Sequence, residues 1–247
     1  MTGAAALARA IVLTWPPAAE ETIGPFRVPH GDGGGNRVSA ARLADPAQDG
    51  ADVSDGTITV VEAAQARAGQ TPLFMVFDWQ EELDRRLAQA GLGVRDATDM
   101  LLGPVAGIAA PPPPVSCFEI WPPLAVVDEI WAAGGIGPDR LAVMQRAKGP
   151  KTSFLGRMND RPAGAAFVAL DPPYAMLHAL EVKPDARRQG LARIMVRAAA
   201  RWAQAQGADH LAVLVTRENV AAQSLYARLG LRRAGGYHYR ARPKPNA

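Results

Sequence analysis

Val182-Lys183-Pro184-Asp185-Ala186-Arg187-Arg188-Gln189-Gly190-Leu191-Ala192 joins a β-rich run, Met176 to Val182, to a long helical stripe. In that helix Leu191, Ile194, Met195, Ala198, Trp202 and Ala205 fall on one face, and Arg193, Arg197, Arg201 and Gln204 on the other. The amides of a first helical turn lack internal partners and carry the positive end of the helix dipole, so such a terminus attracts phosphate. Gly190 and Ala192 keep side chains away from the backbone, and Arg187, Arg188 and Arg193 add positive charge. The stretch reads as a strand, a tight turn built to approach an anion, and a helix.

Outward from it, the pattern alternates strand and helix. Leu211 to Val215 is an uninterrupted apolar run, as expected of a strand covered on both faces. A helix over about Val220 to Leu229 and a last strand holding Tyr237 and Tyr239 follow. Upstream, Val115 to Trp121 reads as a strand, Leu124 to Ala133 as a helix, and Pro138 to Ala147 as a second helix with proline in its first turn. Ser153 to Met158 and Gly164 to Leu170 flank the turn Asn159-Asp160-Arg161-Pro162, as in a hairpin. The expected fold class is α/β, a mixed twisted sheet with helices on both faces.

The run Pro111-Pro112-Pro113-Pro114 can form neither helix nor central strand. It divides residues 1–110 from 115–247, with 111–114 as linker. Before it, Leu7, Ile11 and Trp15 lie at helical spacing, and His30-Gly31-Asp32-Gly33-Gly34-Gly35-Asn36 reads as a hairpin turn between Phe26-Arg27-Val28 and Arg37-Val38-Ser39-Ala40. The first part echoes the second. A helical Ala63 to Gly69 precedes the strand Leu73 to Phe77, as Ala200 to Gly207 precedes Leu211 to Val215. Leu83-x-x-x-Leu87-x-x-x-Gly91 then matches Ala222-x-x-x-Tyr226-x-x-x-Gly230. Duplication and chance similarity of two helix–strand–helix units both fit. A duplicated first copy lacks the glycine turn and has Leu87 where the second has Tyr226.

Three motifs in order carry a resemblance: Leu177 to Pro184, Arg187-x-x-Gly190-x-Ala192, and Asn219-x-x-Ala222-x-x-Leu225-Tyr226-x-x-x-Gly230-Leu231. Over about residues 115–241 the chain resembles the GNAT superfamily of acyl-CoA-dependent N-acetyltransferases, with residues 1–110 as a degenerate GNAT-like domain. The resemblance implies acetyl-CoA as co-substrate and an amine as acceptor. It implies that the backbone of Arg188, Gln189, Gly190, Leu191, Ala192 and Arg193, with Arg187 beside it, cradles the pyrophosphate. Leu180 and Val182 pair with the pantetheine arm, Asn219 and Ala222 contact the cofactor, and Tyr226 protonates the departing thiolate. A phenol near its ordinary pKa of ~10 suits that transfer. His178 and Glu181 are the candidate bases. Regular alternation puts His178 on the face of Leu180 and Val182, and Glu181 on the other, unless the strand is bulged. A structural role fits each of them as well.

The acceptor is expected to be a small amine, met by residues 121–150 and 232–241. Two other readings fit: a non-catalytic acyl-CoA-binding module, and a protein lysine or N-terminal acetyltransferase. The chain of 247 residues carries a net charge of +3 with no Lys/Arg block, and its aromatic content of 6% gives no stacking platform, so a nucleic-acid partner is not expected. The single cysteine, Cys117, forbids an internal disulfide and reads as a small apolar strand residue. No run of apolar residues approaches a membrane span. His210 and His238 have no partner at metal-ligand spacing. A cytoplasmic, metal-free monomer or homodimer is the expectation.

Overall fold

The amphipathic pattern after Gly190 requires one helix face to be buried on a sheet, and the computed structural model, which describes residues 3–243, is built around that packing. In the first part the elements are α1 (Gly3–Thr14), β1 (Ala19–Ile23), β2 (Phe26–His30), α2 (Asn36–Ser39), β3 (Arg42–Leu43), α3 (Asp55–Arg67), β4 (Phe74–Phe77), α4 (Glu81–Gln89), β5 (Gly93–Pro104) and α5 (Val105–Ile108). After the prolines come β6 (Cys117–Ile120), α6 (Ala125–Ala133), α7 (Pro138–Arg146), β7 (Lys151–Met158), β8 (Arg161–Asp171) and β9 (Tyr174–Val182). A 3-10 turn, Pro184–Ala186, leads to α8 (Leu191–Ala205), β10 (His210–Thr216), α9 (Val220–Arg228) and β11 (Arg232–Ala241).

Helices cover both faces of the sheet, as the alternation in β8 requires. Ala166, Val168 and Leu170 join α8 in one apolar cluster, while Ala165, Phe167 and Ala169 join α6, α7 and Trp15 in another. Asn159 and Asp160, both at positive φ, make the tight turn between β7 and β8. The hairpin expected across His30 to Asn36 does not form. Gly34 N–H turns back onto Gly31 C=O at 2.8 Å, Asn36–Ser39 coil into the short α2, and β2 pairs instead with β3.

The larger sheet has eight strands in the order β4-β11-β5-β10-β9-β8-β7-β6. The two sides of the proline run therefore share a sheet: β5, from the first part, lies antiparallel between β10 and β11. The arrangement is pseudo-symmetric. β11 pairs with β4 as β5 pairs with β10, and a parallel bridge from Ala41 to Phe74 mirrors the parallel ladder of β9 and β10. Both α4 and α9 end on a glycine at positive φ, Gly91 and Gly230. In each, the next amide reaches back across the turn, Leu92 to Leu87 at 3.0 Å and Leu231 to Tyr226 at 3.1 Å. Ion pairs bind the parts together: Arg217 and Arg233 converge on Asp99, and Arg240 grips Asp84 through two bonds. Among the described residues no helix is long and apolar enough to cross a membrane.

Candidate active site

Strands β9 and β10 run parallel only from Tyr174 to Leu177 against His210 to Val213, and beyond that point they part. Lys183 N–H donates to Ala163 of β8, so by antiparallel alternation Val182 turns its own amide to the opposite edge, into the opening left by β10. A strand edge bare on one side, with apolar walls below, accepts an extended chain bearing amides. Val182 and Tyr226 belong to the buried cluster under α8, with Leu180, Ala222 and Leu225 packed against it.

At the end of β9 the chain makes the turn marked in the sequence. Arg188 (φ 64) and Gly190 (φ 90) are left-handed. Among the described residues, the amides of Arg188 through Arg193 donate to no backbone carbonyl, and the first bond of the helix is Ile194 N–H to Gly190 C=O at 3.1 Å. Left-handed residues in such a turn make a nest of converging N–H groups that binds anions. A Cβ placed on Gly190 meets nothing within 4 Å, so the mouth of the nest is open. Arg187 braces the turn, donating to Val182 C=O at 2.9 Å and to Glu181 at 3.0 Å. Gln189 Nε2 ties back to Asp185 C=O.

The alternation of β9 breaks at Ala179, whose φ is 51 and where the pairing with β8 shifts register. Regular alternation would put His178 on the face of Leu180 and Val182. The bulge overturns that: His178 faces Trp15 and Phe167, opposite those two residues. Glu181 also lies on the α6 side, where a Cβ on Gly134 would come within 2.7 Å of its Cδ. Trp131, fully buried in α6, donates its indole N–H to Ala179 C=O at 2.8 Å and so pins the bulge.

His178 is buried and lies 3.0 Å from both Thr14 Oγ1 and Arg37. A guanidinium only donates, so Nδ1 accepts from Arg37 and the proton sits on Nε2, directed to Thr14, whose hydroxyl donates to Ala10 C=O at 2.6 Å. Burial, with the Arg37 charge adding to it, holds the imidazole pKa well below its ordinary value. Burial also pushes the Tyr226 phenol up to about 12, so it remains protonated but is a weaker acid than free tyrosine. The Cys117 thiol, on the edge strand β6, is likewise raised to about 12 by burial.

Beside the bulge lies a cavity of about 330 Å³ built by both parts of the chain. The second part lends His178, Ala179, Ile136, Arg140, Thr216, Tyr237 and Tyr239. The first lends Trp15, Asp96, Thr98 and the loop Gly34 to Arg37. Residues 121–150 thus lend Ile136 and Arg140 to it and residues 232–241 lend Tyr237 and Tyr239, whereas the glycine loop and β5 are contributions that sequence patterning did not mark. Glu181, Tyr226 and the glycine turn do not line this cavity. Asn219 caps α9, its Oδ1 accepting from the Ala222 amide at 3.1 Å, which occupies that amide. Among the described residues no three His, Cys, Asp or Glu side chains gather as a metal site would require.

Residues 117–231 match the family model described as "Acetyltransferase (GNAT) family". An uncharacterized N-acetyltransferase of Bacillus subtilis (strain 168), YobR, is 29% identical over 129 residues, 50% of this chain and 51% of that one. The chain thus spans about half the length of this curated relative. Among solved structures, a GCN5-related N-acetyltransferase from Kribbella flavida superposes with a TM-score of 0.75 at 19% identity, covering 99% of this chain and 98% of that one. A tandem GNAT protein from the clavulanic acid biosynthesis pathway gives 0.62 at 14% identity, covering 97% and 88%. At such identities these likenesses concern the fold.

Proposed function

We propose, from the match of residues 117–231 to the GNAT acetyltransferase family model, that the protein moves an acetyl group from acetyl-CoA to the primary amine of a small-molecule acceptor. The observation that carries the reading is the conjunction of a parted strand pair with a nest of unpaired amides at its end. In this reading the nest of Arg188 to Arg193 holds the pyrophosphate, and the free edges of Leu180 and Val182 receive the pantetheine arm. The Val182 amide polarises the thioester carbonyl. The amine attacks directly from the cavity beside the bulge, and Tyr226 protonates the thiolate. At a pKa of about 12 the phenol is a poorer match to a thiolate than free tyrosine, so transfer depends on the anion forming next to it.

His178 and Glu181 were both eligible as bases on sequence grounds. Each is already engaged, His178 with Arg37 and Glu181 with Arg187. We assign them positioning roles, His178 holding the acceptor-side arginine and Glu181 the turn, and leave deprotonation of the amine to water. A cavity of about 330 Å³ lined by both parts of the chain favours a small acceptor over a protein side chain, and the tyrosine favours turnover over simple binding. We also read the first part as a degenerate copy of the second, on the strength of the pseudo-symmetric pairing. The direct test is Tyr226→Phe. Turnover should fall roughly 100-fold or more, the usual range for losing a general acid, while acetyl-CoA affinity stays within about threefold. Unchanged turnover would remove Tyr226 from the mechanism.

A further inference from the structure

The cavity beside the bulge is lined by charged groups that have no oppositely charged partner among the described residues. Arg9, Arg42, Arg187, Arg217, Arg233 and Arg240 each end on a carboxylate. Arg37 and Arg140, which both line the cavity, form no ion pair among the described residues. Arg37 is not loose. One of its terminal nitrogens is fixed to His178 at 3.0 Å, its guanidinium lies 5.3 Å from the centre of the Trp15 ring, and its Nε is buried without any acceptor. A buried donor with no protein acceptor carries a free-energy cost, and an anionic oxygen that reaches it offsets that cost. Arg140 approaches the same loop from α7; a Cβ on Gly35 would lie 3.4 Å from it. One carboxylate, Asp96, shares the cavity, bonded to the Asn36 side-chain amide at 3.1 Å and to no cation among the described residues.

Two guanidinium groups and one carboxylate complement a ligand carrying an anion and an ammonium. Planar guanidinium matches carboxylate with paired hydrogen bonds. A phosphate dianion would face Asp96 unfavourably, whereas an ammonium group is attracted to it. The volume suits a molecule of amino-acid size. We infer that the cavity binds a small aminocarboxylic acid, its carboxylate on Arg37 and Arg140 and its amine toward Asp96 and the Ala179 bulge. Calling this ligand the acceptor rests on the transferase reading above; the binding assignment does not.

The test compares the common L-amino acids with their carboxamides, which keep the amine and the side chain and lose only the acid. Binding is read by saturation-transfer NMR and turnover by release of CoA thiol, in the wild type, Arg140→Met and Arg37→Met. At least one amino acid should bind at least about tenfold more tightly than its carboxamide. That preference should vanish in Arg140→Met, whose melting temperature and acetyl-CoA affinity match the wild type because Arg140 is exposed. Carboxamides bound as well as acids, no acid bound at all, or a preference that survives in both variants would overturn the inference. Amines acetylated without regard to a carboxylate would overturn it and leave the transferase reading standing. Acids bound with the Arg140 dependence, but never acetylated, would keep the pocket assignment and sink the transferase reading.

Discussion

His178 shows how one backbone irregularity reassigns a side chain. Strand alternation groups it with Leu180 and Val182, but a single extra residue at Ala179 turns it to the other face, onto Trp15 and Arg37. Its folded pKa is depressed, so between that value and the ordinary 6.5 the unfolded chain binds more protons than the folded one. This contribution to stability is therefore complete above the unfolded value and is lost as pH falls below it. Lowering the pH from about 7.5 to about 5.5 should lower the melting temperature of the wild type, and His178→Gln should flatten that slope; an equal slope in both would place the titration elsewhere. Trp131 acts at the same scale. Trp131→Phe keeps most of the apolar volume but frees Ala179 C=O, at a stability cost of about 1 kcal/mol. If the bulge organises the reaction, kcat should fall more than acetyl-CoA affinity, and equal retention of both would make the indole bond merely structural.

At the scale of elements, much was legible. The 3.6-residue stripe of α8, the apolar run of β10 and the glycine turn between β9 and α8 are strong local signals, and each lies where its pattern puts it. Three things were hidden. β5 mixes Asp96, Thr98 and Asp99 with apolar residues because these positions meet the cavity and the ion pairs that Arg217 and Arg233 make with Asp99, so its strand pattern is diluted. The glycine loop resembled a hairpin because its use, to let the chain curl beside Arg140 and Arg37, depends on a neighbour more than a hundred positions away. The bulge at Ala179 has no residue signature of its own. Asn219, a cofactor candidate on sequence grounds, also caps α9. Asn219→Ala should cost about 1 kcal/mol, within the usual range for an N-cap. Acetyl-CoA affinity measured on the same variant then separates the roles: a loss well beyond that destabilisation returns the residue to the cofactor site.

Over the whole molecule, the proline run divides the sequence into residues 1–110 and 115–247, yet the strands on its two sides interleave in a shared sheet. Without residues 1–110, β10 and β11 lose the strand between them and the cavity loses the loop that carries Arg37. Residues 115–247 alone should therefore give broad, poorly dispersed amide spectra, and mixing with residues 1–110 should restore dispersion; a well-dispersed isolated fragment would contradict this. Everything proposed about chemistry depends on the nest between Arg188 and Arg193. The most direct measurement is calorimetric titration of acetyl-CoA into the wild type and Gly190→Glu, with circular dichroism to establish that both are folded. Gly190 opens onto free space at φ 90, so a glutamate there puts a strained backbone and a negative charge at the phosphate mouth. The account predicts binding by the wild type and a loss of at least about 100-fold in the variant. Equal binding by two folded proteins, or none by the wild type, would contradict it.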